Sequence, residues 1–318
     1  TPLYSSAASD VYKRQPSIVG CFSTNGGKLN MASTQAALLA GRLRDGEFIT
    51  APGVYDMISA RIADRLGFSA IYMTGSGVVA SHLGLPDAGI ATFTEMADRA
   101  AMIASGTKTP LIADADTGYG AALNVRHTVR GYEQAGVAAI QIEDQAYPKK
   151  CGHTSGQRIL PPNEMVTKIK VALDSRNDEE FLVIARTDAQ KAEGRDEAMR
   201  RLEAYQEAGA DILFYEAPAN VDEMADAARR FDTPLMANMV EGGATPVLTP
   251  NELEALGFRV AIFPASGFLA ATEALSRVYA ALYNSGSSNV EGAPLHDFKD
   301  FLALMGFDEV LEFESRFE

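Results

Sequence analysis

The chain has 318 residues, 47% hydrophobic and 22% charged, enough for one large α/β barrel or two smaller domains with a full core. A formal charge of −14 argues against nucleic acid as a partner, since neutralising phosphates needs clustered Lys and Arg. It leaves room for an anionic small molecule, because a few cations or a metal can reverse the field inside one cleft.

No apolar run approaches the ~18 residues of a spanning helix, so no membrane span is expected. Two cysteines, Cys21 and Cys151, give no disulfide framework, which fits a reducing, cytoplasmic compartment. Residues 1–30 have neither helical nor strand period and lack the apolar core of a secretory signal. They read as a disordered or extraneous extension, with a Ser-rich, acid-poor transit peptide as the alternative. Met31 then opens a helical pattern, MASTQAALLAGRLRDG.

From Phe48 onward one unit recurs: a short apolar run, a polar loop, an amphipathic helix. The runs are FITAPGVYD, AIYMTGS, PLIADADTGYG, AAIQIEDQ, FLVIARTDA, DILFYEAP, PLMANMVEG and VAIFPAS. Gly67, Gly136 and Gly209 stand where a left-handed residue stops a helix. Eight runs at about 30-residue spacing match a (β/α)8 TIM barrel. A doubly wound sheet is the alternative, but no G-x-G-x-x-G follows the first strand.

Each run begins apolar and ends polar, which in a barrel puts Asp114, Asp116, Glu143, Asp144, Arg186, Asp188, Glu216, Asn238 and Glu241 at the active-site face. Asp188 and Asn220 also suit helix capping. Asp114 and Asp116 lie two apart on a strand, so their side chains share a face; with Glu143 they suit a hard cation such as Mg²⁺. In PKKCGH, Lys149, Lys150 and His153 flank Cys151 and would favour its thiolate, while Gly152 lets the loop bend. One Cys and one His without a second cysteine do not make a structural zinc site. Tyr72, Thr74, Gly75 and Ser76 end the second run with hydroxyls and bare amides that could cradle a carboxylate or a phosphate. Asp87 in LPDAGI serves either a metal site or an Asx turn. Arg186 could fork onto a substrate carboxylate, or else needs a partner such as Glu143 or Glu216. His82, His127 and His296 read as helix or loop histidines rather than ligands.

With APGVYD, LPDAGI, DADTGYG, IEDQ, KKCGH, ARTDA and ANMVEGG in that order, the chain resembles the isocitrate lyase and phosphoenolpyruvate mutase superfamily from about Gly46 to about Ser285. KKCGH is similar to the carbon–carbon lyase branch. The resemblance implies a catalytic barrel over 31–285 whose eighth helix, Phe268–Tyr283, is swapped onto a partner in a homodimer or homotetramer, with 286–318 as a C-terminal helical arm. It implies Mg²⁺ (or Mn²⁺) at Asp114 and Asp116, largely through waters, with Asp87 and Glu143 completing the site. Tyr72, Thr74, Gly75 and Ser76 would contact a 2-oxo acid, and Arg186, Glu216 and Asn238 would line the site. Cys151 would be the general acid, Tyr72 a candidate base, and Lys149, Lys150, Gly152 and His153 the mobile gate.

The implied reaction is retro-Claisen cleavage of a 2-hydroxy di- or tricarboxylate to a 2-oxo acid such as pyruvate plus a carboxylate. Where methylisocitrate lyases carry Thr-Glu-Phe-Gly, this chain has Val240, Glu241, Gly242 and Gly243. It is more similar there to the group that cleaves 2-alkylmalates or oxaloacetate. The rival expectations are an oxaloacetate hydrolase or decarboxylase, a phosphonomutase, which has no need of Cys151, and a non-catalytic barrel, which would be expected to have lost Asp114 or Asp116.

Overall fold

The computed structural model describes residues 31–152, 154, 156–290 and 295–318. The expectation for residues 1–30, and that for His153, lie outside this range. Eight parallel strands close into a barrel in chain order: β1 (Ile49–Val54), β2 (Ile71–Met73), β3 (Leu111–Asp114), β4 (Ala139–Glu143), β5 (Leu182–Thr187), β6 (Ile212–Tyr215), β7 (Leu235–Asn238) and β8 (Val260–Phe263), with β8 pairing back onto β1. Each falls within one of the eight runs. Helices cover the outside, so the strands are buried on both faces and their sequences stay apolar rather than alternating.

Alternate strand residues fill the interior, among them Ile49, Ala51, Tyr72, Ile112, Ile184, Phe214 and Ile262. Leu39 and Ala40 of the first helix, Met31–Arg44, belong to the same apolar cluster and close the barrel's floor. A larger cluster packs strands against helices, and Gly67, Gly136 and Gly209 take positive φ at helix ends as expected.

The helix after β8 runs Ser266–Ser285 and buries none of its residues; Leu269, Leu275, Tyr279, Leu282 and Tyr283 are all exposed. Its flank and the helix Met57–Leu66 border an apolar groove of about 730 Å³. The terminal helices, Phe298–Leu304 and Phe307–Ser315, return toward that side, where Leu304 is buried and its carbonyl accepts from Arg61. Among the described residues no helix is long and apolar enough to cross a membrane.

Candidate active site

A cavity of about 330 Å³ opens at the C-terminal ends of the strands, where loop side chains converge in this architecture. β2 supplies Tyr72 and, just past it, Thr74 and Ser76; β3, β4, β5 and β7 supply Asp114, Glu143, Arg186 and Asn238. Asp87, Lys149, Cys151 and Gly152 come from loops. Register places Glu143 directly beside Arg186 on adjacent strands.

The two aspartates converge, but not as alternating strand residues. β3 ends at Asp114, and Asp116 lies beyond it in the left-handed region at φ 47°, its N–H donating to Asp114 Oδ1 at 3.0 Å. A turn that most residues disfavour therefore aims the second carboxylate. Gly75 makes room for the first: a Cβ there would lie 2.5 Å from Asp114 Oδ2.

Lys149 is buried, with Nζ 2.5 Å from Asp87 Oδ1 and 2.8 Å from Asp116 Oδ1. Ser76 Oγ donates to Asp87 Oδ2 at 2.5 Å. Burial pushes Asp116 up to about 6 despite Lys149, with Asp114 and Asp87 adding to the rise. Burial also raises Asp114, and lifts Glu143 well above the carboxylate range although Arg186 opposes it. Asp87 alone of the four is lowered: its burial is outweighed by Lys149 and the Ser76 hydroxyl. Lys149 stays charged, because the four carboxylates overcome its own desolvation.

This donor set fits a hard divalent cation. Its groups are carboxylate oxygens in a shielded mouth, and Glu143 Oε1 is buried without a hydrogen-bond partner. Among the described residues no three acidic, His or Cys groups stand ready as a direct cage. Mg²⁺ keeps several waters and needs only one or two protein oxygens, which the neighbouring carboxylates of Asp114 and Asp116 can supply.

Arg186 is forked, but onto Asp188: Nε and Nη2 donate to its two carboxylate oxygens at 2.9 and 2.8 Å. Glu143 and Glu216 each stand 3.6 Å away, and the guanidinium lies over the Phe214 ring at 4.9 Å. Asp188 makes no capping bond to the helix it precedes, so the capping reading fails there; Asn220 does cap its helix. Asp144, fully buried, accepts from Thr187 Oγ1, the Asp188 N–H, Tyr205 and Arg201. It pins the end of β5 from behind. Asn238 Nδ2 reaches both Glu216 oxygens, at 3.1 and 3.3 Å.

The loop after β4 lies over the mouth. A bridge between Gln145 and Ile159 joins its two feet, and the Gln145 amide holds the N–H and carbonyl of Lys150. The Gln157 amide donates to the carbonyls of Cys151 and Gly152, and Lys191 Nζ to that of Gly152. Gly152 is seated so closely that a Cβ would meet Arg186 Nη2 at 2.2 Å. A larger residue there would have to push Arg186 from its place beside Asp188.

Two expectations need correction. Lys150 is exposed and does not line the cavity, and Lys149 is committed to Asp87 and Asp116. Tyr72 donates its hydroxyl to Gln141 Oε1 at 2.7 Å, and burial raises its pKa well above that of a free phenol. It is a neutral phenol, not a base. Cys151 itself is half-buried and lines the cavity with Asp114, Glu143 and Arg186. Sequence reasoning missed the Asp188 clamp and the apolar side formed by Val240, Ile262, Pro264, Phe268 and Leu269.

A family model described as phosphoenolpyruvate phosphomutase matches residues 39–283. The chain is 46% identical over 289 residues to a 2,3-dimethylmalate lyase of Eubacterium barkeri, covering 91% of this chain and 99% of that protein. Among solved structures, an oxaloacetate acetylhydrolase in complex with 3,3-difluorooxalacetate is similar with a TM-score of 0.84 and 36% identity, over 89% of this chain and 97% of that one. A 2,3-dimethylmalate lyase of the PEP mutase/isocitrate lyase superfamily has a TM-score of 0.83 and 37% identity, over 90% and 95%.

Proposed function

The chain belongs to the phosphoenolpyruvate phosphomutase family, and from that premise we propose that it is a carbon–carbon lyase cleaving a 2-alkylmalate to a 2-oxo acid such as pyruvate plus a carboxylate. The observation that carries the reading is Cys151, which lines the same cavity as Asp114, Glu143 and Arg186. A thiol there serves protonation of a carbanion, which a phosphonomutase does not need.

Asp114 and Asp116, with Asp87 and Glu143, would hold Mg²⁺ (or Mn²⁺), which would supply Lewis-acid stabilisation of negative charge on substrate oxygen. Thr74, Gly75 and Ser76 bind the 2-oxo acid end. Arg186, aimed by Asp188, faces the distal carboxylate. As the C2 hydroxyl passes its proton to a carboxylate of the Asp114–Asp116 pair, the C2–C3 bond breaks, its electron pair passes to C3, and Cys151 delivers a proton to that carbon. Gly152 over Arg186 shuts water out of the site during the step.

The helix Ser266–Ser285, which buries none of its residues, and the groove beside it support exchange of this helix with a partner in a homodimer or homotetramer. The cytoplasm is the fitting compartment for a reduced catalytic thiol.

The test is 2-oxo acid release from 2,3-dimethylmalate and 2-ethylmalate, with Mg²⁺ and with EDTA. Metal-dependent release is the expected result. The oxaloacetate acetylhydrolase similarity favours one second reading: silence on the alkylmalates with loss of oxaloacetate would establish a hydrolase or decarboxylase instead.

A further inference from the structure

We propose that Phe268 sets the size of the alkyl group that the enzyme accepts on C2 of its substrate, an inference that rests on the alkylmalate reading above. The cavity has two unlike sides. Its cations among the described residues, Lys149 and Arg186, come from the loop after β4 and from β5. The side built from β8 and the following helix is apolar, with Ile262, Pro264, Phe268 and Leu269.

Phe268 is held in place by close fits. Its ring meets Tyr55 edge-on, with centroids 6.3 Å apart and an interplanar angle of 77°. It also lies against Gly77, where a Cβ would stand 3.1 Å from Phe268 Cδ1 and 2.7 Å from Thr74 Cγ2. Gly267 lets the helix pass the Gly53 carbonyl, since a Cβ there would be 3.1 Å from that oxygen. The ring therefore abuts the turn at Thr74 that receives the 2-oxo acid end, and it is fixed there by backbone proximity.

Substituent geometry then leaves one assignment. C2 carries the hydroxyl and the C1 carboxylate, which face the acidic cluster around Asp114. Its bond to C3 runs toward Cys151 and Arg186. The remaining substituent points at the β8 side, and the Phe268 ring limits how long it can be. A substituent on C3 lies on the cysteine side and does not meet the ring.

The experiment measures kcat/KM, with the 2-oxo acid trapped as its phenylhydrazone, for 2-methyl-, 2-ethyl- and 2-propylmalate. A control pair varies C3 instead, 3-methyl- against 3-ethylmalate. Wild type is compared with Phe268→Ala and Phe268→Leu. Opening the wall should shift the propyl-to-methyl ratio about tenfold or more toward propyl in Phe268→Ala, the discrimination an apolar pocket gives for one or two methylenes. Phe268→Leu should move the same ratio by a smaller factor and serves if the alanine variant does not fold. The C3 ratio should stay put. Equal losses on every substrate, or a C3 ratio that moves with the C2 ratio, would overturn the assignment. Wild type that releases no 2-oxo acid from any of the five would overturn the lyase reading first, and this inference with it.

Discussion

Replacing Asp188 by Asn separates a clamp from a cap. Asn is as good a helix cap as Asp, so a capping residue would tolerate the change. The structure gives Asp188 different work: two charge-assisted hydrogen bonds, 2.9 and 2.8 Å, to a buried arginine. Asn keeps one acceptor oxygen and presents an N–H₂ group to a donor, losing one bond of about 1.5–3 kcal/mol and one counter-charge. Glu143 and Glu216, each 3.6 Å from the guanidinium, remain and limit the damage. The net cost is ~2–3 kcal/mol, or a fall in Tm of ~3–5 °C for a domain of this size. Arg186 would also lose the partner that aims it, and misplacement by an ångström near reacting atoms costs about 10² in rate. Thermal unfolding followed by circular dichroism, together with kcat/KM on the best alkylmalate, reads both effects. A variant that melts and turns over like wild type would refute the clamp.

Cys151→Ser should lower kcat by about 10²–10⁴, the range for a positioned acid, while Mg²⁺ affinity by calorimetry stays nearly unchanged; equal loss of metal binding would show that the loop has another role. Lys150→Ala should leave kcat within about twofold, as for other exposed positions away from a site, and a large loss by the same assay would return Lys150 to the chemistry. Mg²⁺ binding should depend on pH through Asp116, whose pKa is pushed up to about 6. Below that pH the metal must displace a proton, so apparent affinity should fall up to about tenfold per unit as pH drops, as calorimetry across pH 5–8 would show. The sign for stability is opposite. Because the folded metal-free chain holds this proton more tightly than the unfolded one, the stability from this group is present at low pH and lost as pH rises from about 4 through about 6.

The barrel was readable because parallel strands buried on both faces must be short apolar runs, and each run then meets solvent at one end. That same pattern delivered Asp114, Glu143, Arg186 and Asn238 to the mouth. Asp114 and Asp116 converge for a reason the spacing did not contain, a left-handed turn at Asp116. Lys149 and Lys150 are neighbours with opposite fates; which one faces inward depends on Gln145 and Gln157 holding the loop, and those contacts form only in the fold. The Arg186–Asp188 pair was hidden because a strand-end aspartate before a helix looks like a cap. Phe268 was hidden because its local pattern reads as the start of an amphipathic helix, and nothing local shows that its ring faces a cavity.

Barrel closure has a consequence for how the chain is made. Ile49 pairs with Val260, a strand synthesised about two hundred residues later. At ~5–20 residues per second, β1 leaves the ribosome ~10–40 s before its second neighbour exists. Through that interval the growing sheet keeps two open edges, each a template for pairing with another nascent chain. The last run, Val260–Phe263, thus acts as a timer for solubility, and a ribosome that stalls before it leaves an open sheet instead of a barrel.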